Sequence, residues 1–391
     1  MSRRLVILTE IISPYRIPLF NALARDPDVS LHVIFLSETD PNLRQWRVYK
    51  EDVHFNYQVL PSWRRRLGKF NVLLNRKVVD ALNQASPDAI LCGGYSYFAS
   101  WQALFWARSR KIPFLLWSES NEQDARRGYA PVELLKQEFL RRCAGFVVPG
   151  LSAREYLLAK KILEERIFVA SNAVDNDLFG SLAVVARRDA DANRRNLGLP
   201  DRYVLFVGRL VPEKGIFDLL RAYAGLEDHV RRRLGLVFVG DGHAKRELQN
   251  RASEISIGEI RFAGFAHREQ LPSYYALAEV LVLPTYTDPW GLVVNEAMAC
   301  GLPVIVSQVA GCVRDLVREG WNGLLVPPRN TASLSSAIRD LAAQPELRAS
   351  MGVRAASHIA NFSPQRWSAS IAAAIQKTIS VAAFSKIVPT P

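Results

Sequence analysis

The chain has 391 residues, 49% of them hydrophobic and 23% charged, with a net charge of +12; this is the profile of a globular protein with enough core for two or three domains. Its four cysteines, Cys92, Cys143, Cys300 and Cys312, are widely spread and form no C-x-x-C or Cys/His group, which argues against a disulfide framework or a zinc site and favours a reducing compartment. No apolar run reaches the roughly 18 residues a membrane-crossing helix needs.

In the first element, "RLVILTE" (4–10), the apolar run follows two arginines, Arg3 and Arg4, but Glu10 interrupts it and no small-residue cleavage site follows, so it reads as a buried strand rather than a signal peptide. Further strand candidates in the first half are 30–37, 88–94, 113–119, 145–150 and 166–171. Most are apolar throughout, the pattern of parallel strands covered on both faces by helices. Ligands of such sheets sit beyond the carboxyl ends of the strands, which singles out the Ser13–Arg16 loop, the Gly93–Gly94 turn and Glu119. Arg16 is either a surface residue at a helix start or a ligand for a phosphate. Glu119 is either an ordinary strand-end acid or a group that orients a substrate hydroxyl.

Residues 41–80 hold nine Lys/Arg against three Asp/Glu. Within them "SWRRRLGKFNVLLNRK" (62–77) alternates cations with Trp63, Phe70, Val72, Leu73 and Leu74. It reads as a solvated helix face or as a contact for anionic lipid headgroups. Nucleic acid is disfavoured, since no recognised reading motif accompanies the patch. The first strand runs into "IISPYR" rather than G-x-G-x-x-G, which disfavours a nicotinamide dehydrogenase.

The strand–helix alternation pauses at the polar segment 183–199, read here as a linker between an N-terminal domain (1–182) and a C-terminal one (200–363). Two Asp-x-Asp triplets, Asp175/Asp177 and Asp189/Asp191, lie at or in this linker, away from any strand end that could hold a donor, so no catalytic metal is expected. In the second half the strand candidates are 203–208, 234–242, 260–265, 280–285, 303–308 and 323–328. The architecture is thus two Rossmann-like domains in tandem, with a cleft between facing sheets as the expected site of a substrate pair. A last helix is expected near 364–379, then an aperiodic tail.

In "VGRLVPEKG" (207–215) the cations Arg209 and Lys214 follow a strand end, and Gly215 opens a helix. That combination suits a pyrophosphate, or it is two surface cations in a loop. Gly240-Asp241-Gly242 is a tight turn at the same edge, needed for positive φ or for ligand contact. In "TDPWGLVVNEAMACGLPV" (287–304), Asp288 precedes a helix and Glu296 lies about one turn into it. The amides of Trp290, Gly291, Leu292 and Val293 are the expected open donors of the first turn.

Taken in order, "GRLVPEKG", "GDG", "FAGF" and "DPWGLVVNEAMACGLPVI" resemble the family 4 glycosyltransferases of the GT-B fold, most closely over 200–330. "SPYRIPLFNAL" (13–23) and "ASNAVDNDLF" (170–179) carry the resemblance in the first half. The resemblance implies an α/β chain of two Rossmann-like domains with parallel sheets facing across a cleft, and a C-terminal helix returning to the N-terminal domain. It implies transfer of a sugar from a nucleotide diphosphate sugar with retention of anomeric configuration. The acceptor would be a glycan or lipid-linked molecule in surface-polysaccharide, lipopolysaccharide or glycolipid assembly.

By the same resemblance Arg209 and Lys214 hold the diphosphate, and Asp288 and Glu296 stand at the acid-x7-acid motif. Asp288 then serves the donor sugar and Glu296 the ribose. The amides near Gly291–Val293 serve sugar and phosphate, and the base lies near Phe265–His267. Two departures stand out: Asp288 is one methylene shorter than the family's usual Glu, and Glu119 lies where many members carry a histidine. A nucleotide-sugar 2-epimerase of the same architecture and a catalytically silent nucleotide-sugar-binding subunit are the alternatives. No cofactor is expected, and the place of action is the cytoplasm, at most peripheral to the inner membrane face.

Overall fold

The computed structural model describes residues 2–40, 47–67, 70–122 and 130–387. The chain divides into two compact units, Met1–Asn172 with Pro364–Pro391, and Ala173–Ser363.

The first unit is built on β1 (Arg3–Thr9), β2 (Val29–Phe35), β3 (Asn56–Val59), β6 (Ala89–Cys92), β7 (Phe114–Trp117), β8 (Gly145–Val148) and β9 (Ile167–Val169), in the spatial order β3-β2-β1-β6-β7-β8-β9. Every neighbouring pair is parallel. Parallel strands need helical crossovers, which cover both faces, and this is why these strands are apolar throughout. On one face Phe20, Trp117 and Trp367 pack ring to ring, tying the helices Ile17–Ala24 and Pro364–Ile387 to the sheet. The opposite face packs on residues of the helices Val78–Ala85, Phe98–Ser109 and Leu151–Ala159. The last helix outruns the 364–379 read from periodicity and continues to Ile387.

The basic segment is not a helix face. It forms an antiparallel hairpin of β4 (Ser62–Leu67) and β5 (Phe70–Asn75), with Trp63 opposite Leu74 and Arg65 opposite Val72; Gly68 and Lys69 lie outside the described residues. A strand alternates its faces residue by residue. Arg64, Leu73 and Asn75 therefore turn inward, and Trp63 (52% exposed) and Leu74 (45%) outward. The inward Arg64 pairs with Glu10 at 3.2 Å and Asp40 at 2.5 Å, which anchors the hairpin to the end of β1.

The second unit carries β10 (Tyr203–Val207), β11 (Gly235–Val239), β12 (Ile260–Gly264), β13 (Val280–Leu283), β14 (Val304–Ser307) and β15 (Gly323–Val326), all parallel, in the order β12-β11-β10-β13-β14-β15. The order reverses at β10, so the loops that follow β10 and β13 are neighbours although about 75 residues separate them. Such a switch point is where open α/β sheets hold ligands.

The expected linker, 183–199, is instead helical. Asn176–Arg188 and Ala190–Leu197 are helices, and Phe179, Ala183, Ala186 and Leu199 are buried in the core of the second unit. A narrow apolar stripe at helical spacing is enough to dock a segment whose composition is mostly polar. Arg187 adds hydrogen bonds to the carbonyls of Ala276 at 3.1 Å and Cys300 at 2.5 Å. The first triplet acid, Asp175, caps its helix by accepting from the Leu178 amide at 3.0 Å, and Asp191 pairs with Arg194.

Candidate active site

Two loops meet at the switch point of the second unit. After β10 the chain passes Gly208, Arg209 and a 3₁₀ turn, Pro212–Lys214, before the helix Ile216–Ala224. After β13 it passes Pro284–Trp290 into the helix Leu292–Ala299. The loops are joined by backbone: the Tyr286 amide donates to the Glu213 carbonyl at 2.8 Å, and Thr285 Oγ1 to the same carbonyl at 3.1 Å. Gly215 has φ +70°, and a Cβ there would lie 2.0 Å from the Pro284 carbonyl oxygen. Only glycine lets the loops come this close.

This contact delivers Lys214 to Asp288. Lys214 Nζ donates to Asp288 Oδ2 at 2.5 Å, and both side chains are largely buried. Asp288 is itself pinned: it bridges to Ala310, its carbonyl accepts from the Gly311 amide at 3.0 Å, and its Oδ1 accepts from the Trp290 amide at 3.3 Å. The Trp290 amide is therefore not one of the open donors expected there. Its indole is buried in the core and donates to Asn295 Oδ1 at 2.8 Å, so Trp290 supports the turn from beneath. The amides of Gly291, Leu292 and Val293 have no acceptor among the described residues. With the positive end of the helix dipole they make a corner suited to an anion, and a Cβ on Gly291 would lie 3.7 Å from Asp288 Oδ2, the atom that holds Lys214.

Glu296, one turn further along, accepts from the hydroxyl of Tyr275 at 2.6 Å. Burial pushes its carboxyl up to about 7, and the Tyr275 hydrogen bond works against that shift. Tyr275 comes from the helix Leu271–Leu277, and nothing in its apolar surroundings in the sequence marked it out.

Arg209 is exposed and makes no side-chain hydrogen bond or ion pair among the described residues. Gly240 and Asp241 serve their own turn: a Cβ on Gly240 would lie 1.9 Å from the Gly208 carbonyl oxygen, and the Asp241 carbonyl accepts from the Leu210 amide at 2.9 Å. Both loops are thus held at the edge where Arg209 emerges. Phe265 and His267 stand exposed beyond β12, ring to ring at 5.2 Å.

In the first unit the structure joins Arg16 to Glu119. The guanidinium donates to Thr9 Oγ1 at 3.0 Å and to Glu119 Oε1 at 3.3 Å, and lies 4.3 Å over the Trp117 ring. Asn172 donates to the same carboxylate oxygen at 3.4 Å. Thr9, Asn172 and Trp117 are the partners that sequence reading missed. Ser13 Oγ is buried without a partner among the described residues. Gly94 borders open space, and its carbonyl accepts from Cys92 Sγ at 3.0 Å.

Residues 188–358 match the family model described as Glycosyl transferases group 1. The chain is 35% identical over 205 residues to the D-inositol 3-phosphate glycosyltransferase of Thermomonospora curvata, covering 50% of this chain and 47% of that one. It is 33% identical over 177 residues to the alpha-D-kanosaminyltransferase of Streptomyces kanamyceticus, covering 43% and 45%. The chain therefore spans about half the length of the curated relatives it matches. Among solved structures, Anabaena Alr3699/HepE in complex with UDP-glucose superposes with a TM-score of 0.73 at 19% identity, over 97% of this chain and 100% of that one. Sucrose-phosphate synthase from Thermosynechococcus elongatus does so with 0.73 at 21%, over 97% and 100%. These likenesses establish the fold as GT-B.

Proposed function

We propose that this chain is a retaining family 4 glycosyltransferase that moves a sugar from a nucleotide diphosphate sugar to a glycan or lipid-linked acceptor in surface-polysaccharide, lipopolysaccharide or glycolipid assembly. The observation that carries the reading is Lys214 held beside the open amides of Gly291–Val293 at the switch point of the second sheet. A cation and a helix N-terminus converging on one corner suit a diphosphate. Group 1 transferase relatives and a neighbour solved with UDP-glucose support the same donor class.

In this reading Lys214 and Arg209 hold the diphosphate and offset the negative charge that grows on it as the glycosidic bond breaks. Because these two cations supply the charge, the reaction needs no resident metal. Glu296 accepts from the ribose hydroxyls, Asp288 from a hydroxyl of the transferred sugar, and Phe265 and His267 flank the base. On the first unit, Glu119 orients the reacting hydroxyl of the acceptor, and Arg16, stacked on Trp117, takes an anionic group of the acceptor. The outward face of the hairpin, with Trp63, Leu74 and Arg65, rests on an anionic membrane. In this reading the enzyme works in the cytoplasm, peripheral to the inner face of the membrane. No described helix is long and apolar enough to cross a membrane.

The test is a thermal-shift and calorimetric screen of the chain against UDP-, GDP- and ADP-sugars. It is followed by NMR of the anomeric proton in the product formed from the best donor and a lipid-linked acceptor. Binding with retained configuration is expected. An epimerised donor in the absence of acceptor, or no binding of any nucleotide sugar, overturns the reading.

A further inference from the structure

Lys214 and Asp288 are assigned above to different parts of one donor, the diphosphate and the sugar, yet in the structure they hold each other at 2.5 Å. Their side chains are only 15% and 12% exposed. Water screens neither charge well, so separating the pair without a replacement for each partner is costly. The two halves also differ in freedom. The carboxylate is fixed through the Trp290 amide, and its backbone through Ala310 and Gly311. The ammonium sits on a flexible stem at the end of a short 3₁₀ turn. When the pair opens, Lys214 moves and Asp288 stays.

We propose that this ion pair is an exchange contact which favours the sugar-bearing donor over the spent nucleoside diphosphate. It rests on the donor assignment made above. An incoming diphosphate draws Lys214 away from Asp288. A hydroxyl of the sugar then donates to Asp288 and replaces the ammonium, so both charges keep a partner. A nucleoside diphosphate without sugar also takes Lys214, but offers no hydroxyl to replace the ammonium at Asp288 and sets a second anion beside that carboxylate. After transfer the sugar leaves Asp288, the carboxylate recaptures Lys214, and the nucleoside diphosphate loses its grip. The shorter acid at this position fits the role, because its carboxylate stays bonded to the Trp290 amide and in reach of Lys214 at once.

Calorimetry on the full chain tests this, using UDP, GDP and ADP and their hexose derivatives, with Asp288→Asn, Lys214→Gln and the double variant. Asn keeps an oxygen for the Trp290 amide; Asp288→Ser gives the same readout should the Asn variant unfold. Asp288→Asn is expected to bind the nucleoside diphosphate about fivefold tighter or more, on the scale of one poorly screened charge contact. Its affinity for the nucleotide sugar stays level or falls, so the preference for the sugar-bearing form collapses. In the Lys214→Gln background the gain for the nucleoside diphosphate shrinks to less than about half. Unchanged or weaker nucleoside diphosphate binding in Asp288→Asn, or a gain of equal size without Lys214, overturns the exchange while leaving the donor assignment intact. A wild-type chain that binds neither ligand overturns the donor assignment, and the exchange with it.

Discussion

The hydroxyl of Tyr275 donates to the carboxylate of Glu296 across 2.6 Å, within a pocket that lifts the acid to about 7. The folded value lies above the ordinary 4.5, so the folded state holds its proton more tightly than the unfolded one. Stability from this group is complete below about pH 4.5 and declines as pH rises toward about 7. Relative to Glu296→Gln, the wild-type melting temperature is expected to fall across that window, read by thermal melts from pH 4 to 8.

Donor binding should run the other way. The ionised carboxylate is the better acceptor for ribose hydroxyls, so affinity for a nucleotide sugar rises as pH passes through about 7. Tyr275→Phe removes the bond that stabilises the ionised form. The midpoint of the binding profile is expected to move to higher pH in that variant, and a profile unmoved by the substitution would separate Glu296 from the binding step.

Lys214→Ala is expected to lower kcat/KM by about a hundredfold or more, the scale for losing a charge contact to a developing anion. Lys214→Arg should recover part of the loss. Turnover unaffected by the alanine variant would remove Lys214 from the diphosphate site.

Gly240→Ala puts a Cβ 1.9 Å from the Gly208 carbonyl oxygen at a φ of +136°. The turn must yield, at a cost of about 2 kcal/mol or more. Thermal unfolding should shift down by several degrees. Gly94→Ala, whose Cβ meets nothing within 4 Å, is the control and should be near neutral.

On the first unit, Arg16→Ala is expected to raise the KM for an anionic acceptor about tenfold while leaving nucleotide-sugar affinity unchanged. Glu119→Gln should chiefly lower kcat. Steady-state kinetics with each substrate varied in turn distinguish the two.

The hairpin gives a separate test. Co-sedimentation with vesicles containing phosphatidylglycerol is expected, weakening as salt rises. Trp63→Ser with Leu74→Ser should reduce it several-fold. Equal binding to purely zwitterionic vesicles would point away from an anionic surface.

Much of this molecule was legible in its sequence, because each signal was local. Strands such as Leu5–Leu8 and Val204–Val207 are apolar throughout since both faces are buried. The glycines and cations of 207–215 mark a strand end, and the acids at Asp288 and Glu296 a helix start. What the sequence could not determine depends on which surfaces meet. The 183–199 segment looked like a linker because its docking stripe is narrow, and 62–77 looked helical because a short hairpin with one wet face has weak periodicity. Tyr275, Asn172 and Thr9 became partners of Glu296, Glu119 and Arg16 only through packing. The pairing of Lys214 with Asp288 belongs to the same class: their residue types were fixed by local chemistry, but their contact required β10 and β13 to lie side by side and Gly215 to lie against Pro284. Sequence decides which groups can carry charge near a strand end; tertiary structure decides which of them spend that charge on each other.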